Sequence, residues 1–157
     1  VDDAPPIKQL VNSGILPDLV SLMDRKYVTK KTLLVETFWI IANISSSDSE
    51  YVERLVNLEV IPKAIGLLEY CSEEVNDNLI WILANIAGDS IPYRELLLKH
   101  KIVNKLEKIL SGKALQTSFL NNISWLISNL CRGKPYPEFE TVKLNFPFIN
   151  FSRLPLY

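Results

Sequence analysis

A tryptophan followed four residues later by an asparagine occurs three times in this chain at nearly even spacing. The pairs are Trp39 with Asn43, Trp81 with Asn85, and Trp125 with Asn129. Their tryptophans are 42 and 44 residues apart. A second marker is a four-residue segment whose last residue recurs at intervals of 45, 42 and 43, namely at Pro17, Pro62, Asn104 and Pro147. Because two markers share one period, the sequence indicates tandem repeats of about 42 residues.

Each repeat divides into three predicted helices. Short first helices are expected over residues 7–13, 49–57 and 91–99. Proline fits the first turn of a helix, where its missing N–H is not needed, and so marks the start of second helices at Pro17, Pro62 and Pro147. The longest helices carry the tryptophan–asparagine pairs and are expected over residues 32–46, 74–87 and 115–131. Since no stretch alternates steadily between apolar and polar residues, no strands are predicted.

We therefore predict an all-α fold, an armadillo-repeat solenoid with a right-handed superhelical twist, because repeats of that kind have this period. Residues 1–157 form one domain, with three full repeats and a partial fourth at about 5–47, 48–89, 90–134 and 135–157. The chain begins at Val1 rather than methionine, so we expect it to be a piece of a longer protein. A stack this short is expected to expose apolar faces at both ends.

Charge and composition argue against several classes of function. The net charge is −1, whereas proteins that bind nucleic acid carry a basic surface. No apolar run reaches the roughly 18–20 residues that span a bilayer, so no membrane partner is expected. The single histidine, His100, lies between two lysines, and no metal-ligand cluster, Gly-rich phosphate loop or nucleophile motif is present. We expect no enzyme activity, no catalytic or metal-binding residue and no cofactor.

The third helix of each repeat carries one stripe of polar and aromatic residues. At about 100° per residue, the tryptophan, the asparagine and their polar neighbours fall within an arc of roughly 80°. Beside its Trp and Asn, the stripe contains in successive repeats Glu36 and Ser46, Asn78 and Asp89, and Asn122 and Arg132. A helical tryptophan is usually buried, but three asparagines buried in register would be costly. We therefore predict that the stripe faces solvent.

Such a stripe suits an extended peptide. Packed helices lie roughly 8–10 Å apart and two extended residues span about 6.8 Å, so one asparagine per repeat can meet every second peptide unit. A carboxamide offers one acceptor and two donors to the peptide backbone. Slots between the indoles fit the methylene stems of lysine or arginine, and Asp89 supplies a negative charge at the end of one slot. The predicted ligand is an extended, basic peptide.

At this point the sequence resembles a known family, importin alpha (karyopherin alpha). The resemblance rests on Trp-x-x-x-Asn at the armadillo period, together with Asn85-Ile-Ala-Gly-Asp-Ser90, Ser128-Asn-Leu-Cys-Arg-Gly-Lys134, Pro5-Pro-Ile7 and Pro137-Glu-Phe139. It covers essentially the whole chain and corresponds to the second to fourth repeats of that family and the start of the fifth.

The resemblance implies an adaptor that binds the Lys/Arg-rich nuclear localisation signals of cargo proteins. It also implies that the protein shuttles between cytoplasm and nucleus with importin beta, which binds a basic segment that is absent here. The residues that match the family's signal-binding site are Trp39, Asn43, Ser46, Asn78, Trp81, Asn85, Asp89, Asn122, Trp125 and Asn129. Asp89 matches the residue that pairs with the most discriminating lysine, and Asn78 replaces a usual glutamine.

Two residues depart from the family pattern near that lysine. Ser47 stands where glycine is common, and Val52 stands where the family has a threonine hydroxyl. The resemblance therefore implies a looser lysine pocket that depends on Asp89 and backbone carbonyls. The alternative is an armadillo-type scaffold whose groove takes a different extended partner, such as an acidic or apolar peptide, which Arg132 and Val52 favour.

Overall fold

The structure is a computed structural model that describes residues 6–112 and 114–132. These residues form nine α-helices and one 3-10 helix, Arg25–Tyr27, with no β-strand among them. The α-helices in chain order are α1 (Ile7–Asn12), α2 (Leu16–Ser21), α3 (Lys31–Ser45), α4 (Ser49–Asn57), α5 (Val60–Leu67), α6 (Glu73–Asp89), α7 (Ile91–Lys99), α8 (Ile102–Leu110) and α9 (Thr117–Cys131). The predicted all-α fold is confirmed.

A residue in the left-handed conformation links the first and second helix of each group of three. The backbone angle φ is 83° at Gly14, 62° at Glu59 and 57° at Lys101. Each of these residues opens one of the repeated four-residue segments, and the apolar residues after it enter the core, as Val60 and Ile102 do. Glycine adopts this conformation at little steric cost, whereas a side chain makes it unfavourable. In the three repeats that the structure describes, the second sequence marker is therefore the corner between the first and second helix.

Prolines lie at the starts of two second helices. Pro17 is the second residue of α2 and Pro62 is the third residue of α5. Their missing N–H groups fall among the first four of a helix, which have no partner inside the helix. α8 begins at Ile102 without a proline, and Pro147 lies outside the described residues.

The three longest helices, α3, α6 and α9, pack side by side with α6 in the middle. α5 and α7 also pack on α6, and together these helices surround an aliphatic core. Phe38, Ile41 and Ile44, which the helical wheel places away from the polar stripe, are fully buried. This packing brings the three tryptophan–asparagine pairs onto neighbouring helices of one layer.

The helix ends differ slightly from the prediction. α3 begins and ends one residue early, α6 extends to Asp89, and α9 begins at Thr117. The sequence does not predict the 3-10 helix, at whose start the Asp24 carboxylate accepts a hydrogen bond from the backbone N–H of Lys26 at 2.9 Å. The limits of the repeats stay a prediction, and the partial fourth repeat lies outside the described residues.

Candidate functional site

The candidate site is the groove, which we define as the face of α3, α6 and α9 that carries Trp39, Trp81 and Trp125. Trp39 is 52% exposed and Trp125 is 43% exposed. Trp81 is half-buried and packs against the core, because α6 has a neighbouring long helix on each side. The prediction of solvent-facing indoles is confirmed for Trp39 and Trp125 and only partly for Trp81.

The asparagines of the second and third pairs are buried, which corrects the prediction that the whole stripe faces solvent. The Asn85 amide donates hydrogen bonds to the backbone carbonyl of Ala42 at 3.1 Å and to the Ser45 hydroxyl at 3.0 Å. The Asn129 amide donates in the same way to the Ala84 carbonyl at 2.9 Å. Burial in register is therefore not costly here, because each amide has a partner on the preceding long helix.

Asn43 behaves differently from the other two asparagines. Its amide is half-buried and donates to the carbonyl of Trp39 on its own helix at 3.0 Å. No long helix precedes α3 among the described residues, so Asn43 has no neighbouring carbonyl of the kind that Asn85 and Asn129 use. The pairs share a sequence pattern but do not share one hydrogen-bonding role.

A cavity of about 360 Å³ opens in the groove between the ends of the long helices. Of the predicted site residues, it brings together Ser46, Asn85, Asp89, Trp125 and Asn129. Trp39, Asn43, Asn78, Trp81 and Asn122 lie outside its lining, although they belong to the same three helices. Half of the predicted site residues therefore line one cavity, and the other half lie elsewhere on the same three helices.

Asp89 ends α6 and contributes a half-buried carboxylate to the cavity. The Ser49 hydroxyl at the start of α4 donates a hydrogen bond to its Oδ1 at 2.6 Å, which orients the carboxylate. Val52, the residue expected near a bound lysine, is buried in the core and does not line this cavity. Arg132 lines the same cavity as Asp89, and within the described residues the two form no ion pair.

The two remaining predicted asparagines are half-buried and already hydrogen-bonded. The Asn122 amide donates to Asp77 Oδ1 at 2.7 Å, which links α9 to α6. The Asn78 amide donates to the Glu74 carbonyl in its own helix at 3.5 Å. Ser46 is exposed, and its hydroxyl donates to the carbonyl of Asn43 at 2.9 Å.

Sequence reasoning missed Ser45 and Gly88, which line the cavity, and Ser49, which donates to Asp89. Ser47, which the resemblance placed near the lysine pocket, does line the cavity. The serine-rich stretch over residues 45–49 is a visible signal, but such a run is typical of the end of a helix and does not by itself indicate a binding site. Gly88 matters because a Cβ at this position would lie 2.9 Å from the Asn129 amide nitrogen. Only a residue without a side chain lets the α9 asparagine approach α6 this closely.

The groove offers hydrogen bonds, indole faces and one carboxylate rather than reactive groups. Burial raises the pKa of the Cys71 thiol and of the Cys131 thiol, so neither is activated as a nucleophile. Among the described residues, no cluster of His, Cys, Asp or Glu could hold a metal ion. Within the same residues, no helix has the length and apolar character that crossing a bilayer needs.

Comparison with known proteins finds relatives that are all named as importin alpha subunits. No protein-family model matches the chain. The sequence is 35% identical over 147 residues to importin subunit alpha-6 of Arabidopsis thaliana and 35% identical over 143 residues to importin subunit alpha-1b of Oryza sativa. The aligned residues make up 94% and 91% of this chain but 27% and 26% of those relatives. The chain therefore spans about a quarter of their length.

Solved structures agree with the fold. A designed armadillo repeat protein in complex with the peptide (KR)4 matches with a TM-score of 0.74 at 26% identity, over 90% of this chain and 55% of that one. A second designed armadillo repeat protein matches with a TM-score of 0.75 at 24% identity, over 90% and 56%. The expected armadillo-repeat fold and the expected resemblance are both confirmed. The chain is an armadillo-repeat protein that resembles importin alpha subunits over nearly its whole length.

Proposed function

We propose that this chain binds Lys/Arg-rich nuclear localisation signals in extended conformation, as the cargo-binding part of an adaptor for nuclear protein import. The relatives named importin alpha and the designed relative bound to (KR)4 support this proposal. The observation that carries it is the cavity in which Asp89, Trp125, Asn85 and Asn129 meet. Association with importin beta and shuttling between cytoplasm and nucleus belong to the same proposal.

The carboxylate and the indole suit the two parts of a lysine side chain. The methylene stem packs against Trp125, and the ammonium group pairs with Asp89, which the Ser49 hydroxyl already orients. A charge-assisted hydrogen bond of this kind contributes about 1.5–3 kcal/mol, and a cation–π contact adds about 0.5–2 kcal/mol. These terms select lysine over an uncharged side chain of similar size.

The asparagines hold the peptide backbone with the groups that the fold leaves available. Asn85 uses both amide hydrogens on α3, so its carbonyl oxygen remains as an acceptor for a peptide N–H. Asn129 uses one amide hydrogen on Ala84 and keeps the other, within the described residues, for a peptide carbonyl. Because the α3 and α6 carbonyls fix both carboxamides, they bind the peptide without first losing side-chain freedom.

The alternative function is an armadillo scaffold for a different extended partner. Arg132 lines the same cavity as Asp89 and would attract an acidic side chain. An acidic peptide would be attracted by Arg132 and repelled by Asp89. A basic peptide would be attracted by Asp89 and repelled by Arg132. The orientation of Asp89 by Ser49 favours the basic ligand.

The decisive measurement is titration of a lysine-rich peptide into the protein while tryptophan fluorescence is followed. The variant Asp89→Asn keeps the side-chain size and the acceptor for Ser49 but removes the charge. We expect it to bind the peptide at least about tenfold more weakly, since tenfold corresponds to about 1.4 kcal/mol. The matched control is Asp18→Asn, an exposed change on α2 that lies outside the groove and is expected to leave binding unchanged.

Competition by a glutamate-rich peptide distinguishes the two candidate functions. If the acidic peptide binds more tightly than the lysine-rich one, and Arg132→Gln weakens it, the scaffold function replaces the proposed one. Equal affinity of the Asp89→Asn and unchanged proteins for the lysine-rich peptide would reject the lysine pocket.

A further inference from the structure

The cavity of the groove contains one acidic and one basic side chain. Its lining includes Asp89 at the end of α6 and Arg132, which follows the last residue of α9. Among the described residues that line the cavity, these two alone are ionisable, and the others are serines, asparagines, Gly88 and Trp125. Neither takes part in an ion pair within the described part of the chain. The cavity therefore contains two opposite charges whose sum is zero.

The two charged residues are held in place by different contacts. Asp89 Oδ1 accepts the hydroxyl hydrogen bond of Ser49 at 2.6 Å. Arg132 is fixed through its backbone, because its carbonyl accepts a hydrogen bond from Nη1 of the buried Arg94 at 2.7 Å and its N–H donates to the Asn129 carbonyl at 3.3 Å. Arg132 is exposed, so its guanidinium is accessible to a ligand. The carboxylate and the guanidinium thus keep separate places in the cavity.

A second cavity of about 320 Å³ adjoins the first and shares four lining residues with it, Asp89 and Arg132 among them. It extends toward the start of α7, where Arg94 joins the lining. The charge of Arg94 is matched by an ion pair in which its Nη2 lies 2.5 Å from Glu95 Oε1. Arg132 is therefore the cation that a ligand meets where the two cavities join.

We propose that the groove selects a basic peptide that also carries an acidic side chain, two residues away from the lysine that pairs with Asp89. This inference rests on the proposed function and specifies which basic peptides bind best. A lysine that enters the cavity alone is attracted by Asp89 and repelled by Arg132. An acidic side chain that enters beside it pairs with Arg132, so each charge of the cavity then has a partner.

The spacing of two residues follows from the geometry of an extended peptide. Side chains at positions i and i+2 point to the same face of the peptide and lie about 6.8 Å apart, so both can enter one cavity. The residue between them points to the opposite face and cannot reach the cavity. An acidic residue directly next to the bound lysine therefore leaves Arg132 without a partner from the ligand.

Arg132 acts in this arrangement as a specificity determinant. It does not attract the lysine, and it weakens the binding of a peptide that is basic throughout. Specific binding often depends on such a repulsive element as well as on an attractive one. Asp89 and Arg132 together distinguish a peptide of mixed charge from one that is uniformly basic or uniformly acidic.

A set of matched peptides tests the proposal through tryptophan fluorescence. Each peptide contains a block of three lysines, and one glutamate is moved stepwise through the first three positions on each side of the block. The reference for each peptide has glutamine at the same position, which keeps the side-chain size and removes the charge. Glutamate is expected to tighten binding roughly threefold at one position, which is the scale of an exposed ion pair, and to give no gain at the positions directly next to it.

The variant Arg132→Gln shows whether Arg132 is the partner of the glutamate. It is expected to bind the glutamate peptide and its glutamine reference equally, and to bind the reference more tightly than the unchanged chain does, because the repulsion of lysine is removed. The matched control is Arg25→Gln, which removes an exposed positive charge from the 3-10 helix outside the cavity. The control is expected to keep the full gain from glutamate.

The outcomes separate this inference from the proposed function. If none of the lysine peptides binds, the proposed function is wrong and the inference is wrong with it. If they bind but glutamate gives no gain at any position, or if the gain persists in Arg132→Gln, the inference is overturned while the proposed function stands.

Discussion

At the residue scale, Gly88 and Asn129 lie close together in the groove. The backbone of Gly88, in the last turn of α6, leaves room for the Asn129 carboxamide, whose amide donates to Ala84 one turn earlier. A glycine within a helix costs up to about 1 kcal/mol of helix stability relative to alanine. Here the missing side chain also allows a buried hydrogen bond between repeats.

Gly88→Ala is expected to destabilise the protein by about 1 kcal/mol, although alanine favours helix. The new Cβ displaces the Asn129 amide and weakens its bond to Ala84, a loss of about 1–3 kcal/mol that exceeds the gain in helix propensity. Urea denaturation measures the change. The matched control is Gly66→Ala, the penultimate residue of α5, where a Cβ meets nothing within 4 Å. That change is expected to stabilise, and equal gains for both variants would contradict a close contact at Gly88.

The sequence predicts which residues share the face of the groove, because helical geometry alone places Trp125 and Asn129 together. It does not predict that Asn85 and Asn129 are buried, since that depends on the carbonyls that the neighbouring helix presents. Burying an asparagine costs free energy when its amide has no hydrogen-bond partner, but Asn85 and Asn129 both have one. The partners are backbone atoms, and a side-chain pattern carries no information about them.

At the scale of elements, these amides join each long helix to the next. The Ala42 carbonyl already accepts the helical N–H of Ser46 and the hydroxyl of Ser45, and Asn85 adds a third bond to the same oxygen. The Ser45 hydroxyl donates to Ala42 and accepts from Asn85, so these groups form one hydrogen-bonded network. Asn85 thus links α6 to α3 without breaking a helical hydrogen bond.

Asn85→Ala is expected to reduce the free energy of unfolding by about 1–3 kcal/mol, because it removes two buried hydrogen bonds and leaves a small cavity. Asn43→Ala removes a bond within one helix at a half-buried position, and its cost is expected to stay within about 0.5 kcal/mol. Thermal or urea denaturation of the two variants gives the comparison. Equal losses would show that the link between α6 and α3 adds no stability.

The order of the helices could be predicted because one period governs the chain, and prolines mark where two of the described second helices, α2 and α5, begin. The 3-10 helix at Arg25 could not, since it depends on a local hydrogen bond from Lys26 to Asp24 rather than on periodicity. The cavity was also beyond prediction. Its lining combines the end of α3, the end of α6 and one side of α9, and only the packed structure fixes how these helix ends meet.

At the scale of the whole molecule, stability depends on neighbours along one direction. In a stack of repeats each unit contacts only the next, so an inner helix is held from two sides and an outer helix from one. α6 has both long neighbours, and its aliphatic residues, Leu79 and Ile82 among them, are fully buried. The described part of α3 has one long neighbour and an exposed apolar face.

Backbone amides of α6 are therefore expected to exchange hydrogen with solvent more slowly than those of α3, because α3 can open while the α6–α9 contact persists. Exchange measured by mass spectrometry on dilute protein gives the comparison, helix by helix. Equal protection of α3 and α6 in dilute protein would mean that the layer opens as one unit, and the exposed face of α3 would then have no effect on local stability.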